Sequence, residues 1–272
     1  MILSNDIRQT AVAGLFYPQQ PELLLTMFKE WMPDEDMQSS NSEIPRALIV
    51  PHAGYVYSGE AAARGYKLWM GAEDQIKTVV VMGPAHRVGF HGITTLDFDA
   101  VDSPLGPLEI DTQLRDELLE TFPQIEVSNF AQKQEHSLEV HFPFLKYLLP
   151  DVKVLPLLNG SVSVDQVKQV LENLWQRKDV YFVISSDLSH FHPYDEARTI
   201  DSQTAEMVNQ ANWLPLNGER ACGYKGIQGL LALHDEFSMQ IQEVGLVNSG
   251  DTAGDKSRVV GYGTWAIYRG KS

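Results

Sequence analysis

Short apolar runs that end abruptly punctuate this chain. Residues 47–50 (Ala-Leu-Ile-Val), 77–82 (Lys-Thr-Val-Val-Val-Met), 153–158 and 179–184 (Asp-Val-Tyr-Phe-Val-Ile) are apolar with little alternation. Runs of that kind predict strands buried on both faces, as in a parallel sheet covered by helices. Helical spacing lies between them: residues 21–32 put Leu23, Leu24, Met27, Phe28 and Trp31 on one face. Ser58 is placed to cap a helix over 59–70, Asp111 one reaching 122, and Ser163 one reaching 175. Further helices are predicted over 194–211 and 227–237, and short strands over 92–96 and 106–110. Leu138, Phe142, Leu145 and Leu149 keep a helical period, with Pro143 marking a kink or a new first turn. Residues 239–246 and 259–268 alternate and predict a closing antiparallel pair around a Gly/Asp/Ser loop, 248–257. A polar, acidic loop is predicted over 34–43. These elements predict one α/β domain over 1–272, a central mixed sheet with helices on both faces.

The ends of the strands carry the chemistry. Pro51 stops the first, since proline cannot donate to a ladder, and His52 follows. The second runs into Gly83-Pro84-Ala85-His86, and the last into Ser185-Ser186-Asp187-Leu188-Ser189-His190. In open α/β sheets ligands bind outside the carboxyl ends of the strands. Any one of these histidines is equally well a hydrogen-bonded structural residue. If the strands are neighbours, three imidazoles share one edge. Cys222, the only cysteine, stands just before a helix, where the helix N-terminus favours the thiolate that a metal needs. A small buried hydrophobe is the other reading of Cys222.

Two imidazoles and one anionic ligand leave coordination positions open. With a carboxylate this is the facial triad of non-haem iron oxygenases; a thiolate keeps the charge but is softer, which brings copper and zinc into competition with iron. His136 and Glu139 are three apart and share a helical face, while His141 points elsewhere. His136 reads as a substrate contact or a support for the site, or as a capping histidine. Asp187 either orients the His190 ring or caps its own turn. His91, His192 and His234 have no arguable partner.

Composition narrows the class. A net charge of −15 argues against nucleic acid, which needs a basic face, and against anionic lipid. One cysteine allows no internal disulfide, the first residues lack a signal-peptide pattern, and no apolar run is long enough to span a bilayer. A cytoplasmic protein is the expectation.

Six blocks carry a family resemblance: Arg8 with Gly14-x-Phe16-Tyr17-Pro18, Pro-His-Ala-Gly-Tyr-x-Tyr-Ser-Gly (51–59), Gly-Pro-x-His (83–86), Glu-His-Ser-Leu-Glu-Val-His-x-Pro (135–143), Ser-Ser-Asp-Leu-Ser-His (185–190) and Cys-Gly (222–223). In kind and order they resemble the Memo family, called AmmeMemoRadiSam system protein B in prokaryotes. That family is similar in fold to class III extradiol dioxygenases of the protocatechuate 4,5-dioxygenase type, which hold non-haem iron with two histidines and a glutamate and use a further histidine as base. The resemblance implies that His52, His86 and Cys222 occupy the metal-ligand positions and His190 the base position. It puts cysteine where the dioxygenases have glutamate, which leaves ring cleavage itself open.

Three functions follow as expectations. The first is a dioxygenase-like, metal-dependent oxidoreductase using iron or copper ahead of zinc on a small-molecule substrate. The second is a scaffold that keeps the pocket for a peptide or protein partner. The third is a zinc-type hydrolase with His190 as general base.

Overall fold

The computed structural model of the protein describes residues 6–33 and 43–270, so most of the acidic loop predicted over 34–43 lies outside the described residues. The chain begins β1 (Ile7–Arg8), α1 (Pro21–Trp31), β2 (Ala47–Val50), α2 (Tyr55–Tyr66), β3 (Thr78–Pro84), β4 (Ile93–Thr95), β5 (Ala100–Val101), β6 (Leu108–Glu109). It continues α3 (Thr112–Thr121), β7 (Ile125–Val127), α4 (Asn129–Gln132), α5 (Phe142–Leu148), β8 (Lys153–Asn159), α6 (Val164–Trp175), β9 (Val180–Ser185). It closes with β10 (His190–His192), α7 (Tyr194–Asn209), α8 (Tyr224–Leu231), α9 (His234–Phe237), β11 (Gln240–Asn248) and β12 (Val259–Tyr268).

One sheet has the strand order β10-β12-β2-β9-β3-β8-β4-β7, with β11 also paired to β12. Its middle is parallel: β2 pairs β9 with Val50 opposite Ser185, β9 pairs β3 with Ile184 opposite Met82, and β3 pairs β8. β12 and β4 join this middle antiparallel, so the sheet is mixed. The side-chain period of two sorts the strands between two cores. Leu48, Val50, Val79, Val81 and Val183 pack with Phe28 of α1, Tyr66 of α2 and Phe144 of α5. Ile49, Val80, Met82, Phe182 and Ile184 pack with Val167 and Leu171 of α6, Val208 of α7 and Ile227 of α8. Both faces are covered, which is why the strands read as unbroken apolar runs rather than alternating ones. No helix among the described residues is long and apolar enough to cross a membrane.

Asp111 caps α3 by accepting the Leu114 N–H, and Ser163 forms a capping box with Gln166 on α6. Pro143 lies in the first turn of α5. Ser58 does not cap α2: the helix starts a turn earlier at Tyr55, because the Phe16 carbonyl takes the Tyr55 N–H at 2.7 Å and no side-chain cap is required. The Ser58 hydroxyl instead donates back to the Ala53 carbonyl. The segment 227–237 divides into α8 and α9, with α8 starting at Tyr224. A second, three-stranded sheet, β1-β5-β6, has strands of two residues; β6 falls within the strand predicted over 106–110, while β1 and β5 are too short to leave a periodic signal.

Candidate metal centre

β2, β9 and β3 are consecutive in the sheet, so their carboxyl ends form one edge. His52 follows β2, His86 follows β3, and the chain after β9 turns at Asp187 to reach His190 at the start of β10. The loop before α8 brings Cys222 to the same edge. Gly223 makes that approach possible: a Cβ there would lie 2.3 Å from the Ser185 carbonyl oxygen. Its own N–H donates to Ser186 Oγ at 2.9 Å, and the Cys222 N–H donates to the Asp187 carbonyl. One nitrogen from each of His52 and His86 and the Cys222 sulfur all lie within 4.8 Å of one another. Cys222 Sγ is 3.3 Å from His52 Nε2.

Counting hydrogens fixes the tautomers. Ser185 Oγ has one hydrogen and gives it to the Ser137 carbonyl at 2.6 Å. His52 Nδ1 at 2.6 Å and His141 Nε2 at 2.9 Å must therefore both donate to that oxygen. His52 is left with a lone pair on Nε2, the atom facing Cys222. His86 Nδ1 lies 2.9 Å from Glu135 Oε1, and a carboxylate can only accept, so His86 also carries its hydrogen on Nδ1 and its lone pair on Nε2. Glu135 is buried and further accepts the N–H groups of His86, His136 and Ser137. Burial works to raise its pKa, but the His86 ring and these N–H groups win and hold it down to about 2. An ionised carboxylate behind a ligating imidazole fixes the ring and raises its basicity.

The other charges follow from burial. His52 lies well below the ordinary histidine range through burial, with His86, His136, His141 and His190 adding repulsion. Burial brings His136 down to about 4 and His141 to about 3. Cys222 departs from the expected thiolate: burial, aided by Asp187, pushes it up to about 12. The helix N-terminus is too weak to offset desolvation. Without a cation the sulfur is a thiol, with two acceptors in reach, His52 Nε2 at 3.3 Å and the Asp187 carbonyl at 3.6 Å.

His136 joins the cluster. Its ring stacks on His86 with centroids 4.6 Å apart, meets His52 edge-on at 5.5 Å, and packs against Phe16 at 4.7 Å. Glu139 does not share its face. Glu139 is fully buried and turned toward the N-terminal segment, where it pairs with Arg8 and accepts the N–H groups of Ala11 and Val12 and the Tyr17 hydroxyl. Asp187 does not orient His190. Its Oδ1 accepts the His52 N–H at 2.8 Å, capping the turn after β2, and burial raises its pKa to about 6. The His190 ring is held by the Leu188 carbonyl, 2.8 Å from Nδ1, leaving Nε2 as the basic atom. His192 and His234 pair with the neighbouring carboxylates of Glu196 and Asp235.

Sequence reasoning missed Ser185 and Glu135. Ser185 is a polar residue at the very end of an apolar strand, and Glu135 is the residue before a singled-out histidine; both positions were available signals. Glu135→Gln keeps the side chain's size but removes the charge behind His86. Metal affinity is expected to fall about 10–100-fold, read by chelator competition. Unchanged affinity would mean that Glu135 only ties loops together.

A family model described as Memo-like protein matches residues 8–266. The chain belongs to the Memo family. Relatives named MEMO1 family protein include one from Aquifex aeolicus, 34% identical over 270 residues, covering 94% of this chain and 97% of the relative. One from Methanosarcina barkeri is 33% identical over 94% of this chain and 98% of its own length. One from Archaeoglobus fulgidus is 33% identical over 94% and 97%. The Memo match opens at Arg8, the partner of Glu139, and takes in every residue of the histidine–cysteine cluster.

Proposed function

We propose that this Memo-family chain is a metal-dependent oxidoreductase, similar to class III extradiol dioxygenases, acting on a small molecule. One observation carries the reading: a nitrogen from each of two imidazoles and one sulfur lie within 4.8 Å of one another, and both rings are already oriented by groups behind them, Ser185 and Glu135. A transition metal fits that donor set; nitrogen with a soft thiolate suits iron or copper. Bound there by His52, His86 and Cys222, the metal would supply Lewis acidity and one-electron chemistry.

The chain's own groups supply the proton handling. His190 Nδ1 is tied to the Leu188 carbonyl, so Nε2 is free to take a proton from a substrate hydroxyl. His190 follows Asp187, whose carboxyl accepts the His52 N–H, by three residues, which supports a place near the cluster. His136, packed against His86, His52 and Phe16, supports the His86 ring. His86 and Cys222 line a cleft of about 780 Å³ that opens to solvent, which supports access by a small molecule.

Oxygen uptake by the iron- and copper-loaded protein over a panel of catechols and related phenols tests the reading. With an active pair in hand, His190→Ala is expected to lose about 10²–10⁴-fold in turnover with metal content unchanged. Loss of metal in that variant would move His190 from proton transfer to ligation. No oxygen uptake, with partner binding unaltered by loss of the metal ligands, would favour the scaffold.

A further inference from the structure

The cleft beside the metal cluster has the opposite charge from the rest of the molecule. The chain holds 36 acidic and 21 basic residues. Among the described residues no acidic one lines this cleft, whereas Arg87, His91 and Lys225 do. Neither Arg87 nor Lys225 has a carboxylate within ion-pair distance among the described residues. The Lys225 ammonium rests 4.9 Å from the centre of the Tyr224 ring.

A second feature is polar and buried. Asn159, at the end of β8, is only 6% exposed, lines the same cleft, and has no hydrogen-bond partner for its Oδ1. A buried amide oxygen without a partner is costly. The amide nitrogen has no side-chain partner among the described residues either, so its N–H groups are free to donate to a ligand. α8, eight residues long, also starts in this wall, which adds the positive end of its dipole.

We infer that the substrate of this cleft is a small anion, a carboxylate or phosphate, gripped by Arg87 and Lys225 with Asn159 donating to it. The inference rests on the reading that the cleft is where substrate meets the metal cluster. Val88 and Phe90 on the same wall give the anion's apolar body a surface to lie against. A local cationic patch in a chain of net charge −15 also selects: anions are repelled elsewhere and held here.

The test uses the whole protein stripped of metal, with benzoate, benzamide and inorganic phosphate titrated separately and followed by NMR. Benzoate or phosphate is expected to bind, less tightly as salt rises, and comparison of the two tells a carboxylate site from a phosphate site. Benzamide, of the same shape without the charge, is expected to bind at least about tenfold more weakly. The double variant R87Q/K225Q is expected to lose about tenfold or more in anion affinity while keeping its melting temperature and metal content. Undiminished anion binding in that variant, benzamide binding equal to benzoate, or no binding of either anion would overturn the inference. Metal content is measured separately, so a wild-type protein that binds benzoate through Arg87 and Lys225 but takes up no metal would overturn the proposed function and leave the anion site standing.

Discussion

Arg8→Ala is expected to destabilise the protein by about 3–5 kcal/mol, the range for removing one member of a buried ion pair. Arg8 is 4% exposed and Glu139 is fully buried. Arg8 Nη1 lies 2.5 Å from Glu139 Oε2, and its other nitrogens donate to the carbonyls of Gln132 and Glu135. Without the guanidinium, a buried carboxylate keeps only N–H and hydroxyl donors from Ala11, Val12 and Tyr17, while two buried carbonyls lose theirs. This network fastens the N-terminal segment, and with it Phe16 against His136, so the loss should also loosen the histidine–cysteine cluster. Urea unfolding with an unchanged slope and a lower midpoint is the expected record. A cost below about 1 kcal/mol, the value of an exposed ion pair, would show that the segment is anchored by other contacts.

Metal affinity is expected to climb about tenfold per pH unit between about pH 7 and pH 9, because binding displaces one proton. That proton is the thiol's. His52 is already neutral there, its pKa held well down by burial, whereas Cys222 is pushed up to about 12 and stays protonated across the window. A raised pKa on an acidic ligand makes the proton the metal's competitor, so affinity is lost as pH falls and gained as it rises. In Cys222→Ser the slope should flatten and affinity for soft metals should drop most. Chelator competition at several pH values reads both. A wild-type slope that levels off above neutrality, or an identical slope in Cys222→Ser, would remove the sulfur from the site.

The middle of the sheet was legible because burial on both faces leaves an unmistakable trace: four apolar runs at 47–50, 77–82, 153–158 and 179–184 are β2, β3, β8 and β9 to within two residues. From there the position of His52 and His86 followed from where those runs stop. The gathering of His52, His86 and Cys222 depended on strand order, which no local pattern encodes; that Val50 lies opposite Ser185 and Ile184 opposite Met82 is a tertiary fact. His190 is expected at the end of the strand over 179–184, but it opens an edge strand with a bulge at Phe191, whose φ of 63° no residue type announces. The partners of the buried polar groups were the least visible. Glu139 and Arg8 are 131 residues apart, and the Ser185 hydroxyl is shared between histidines 133 and 44 residues away. The state of Cys222 was misjudged for a related reason, since burial outweighs a helix terminus and burial cannot be read from Ala-Cys-Gly.

If His52, His86 and Cys222 hold one metal ion, removing two of the three must empty the site. Metal analysis of protein purified without oxygen, wild type beside the His52→Ala, Cys222→Ser double variant, tests it most directly. Close to one iron or copper ion per chain is expected in the wild type and almost none in a folded double variant; equal stoichiometry in the two proteins would rule out a shared site.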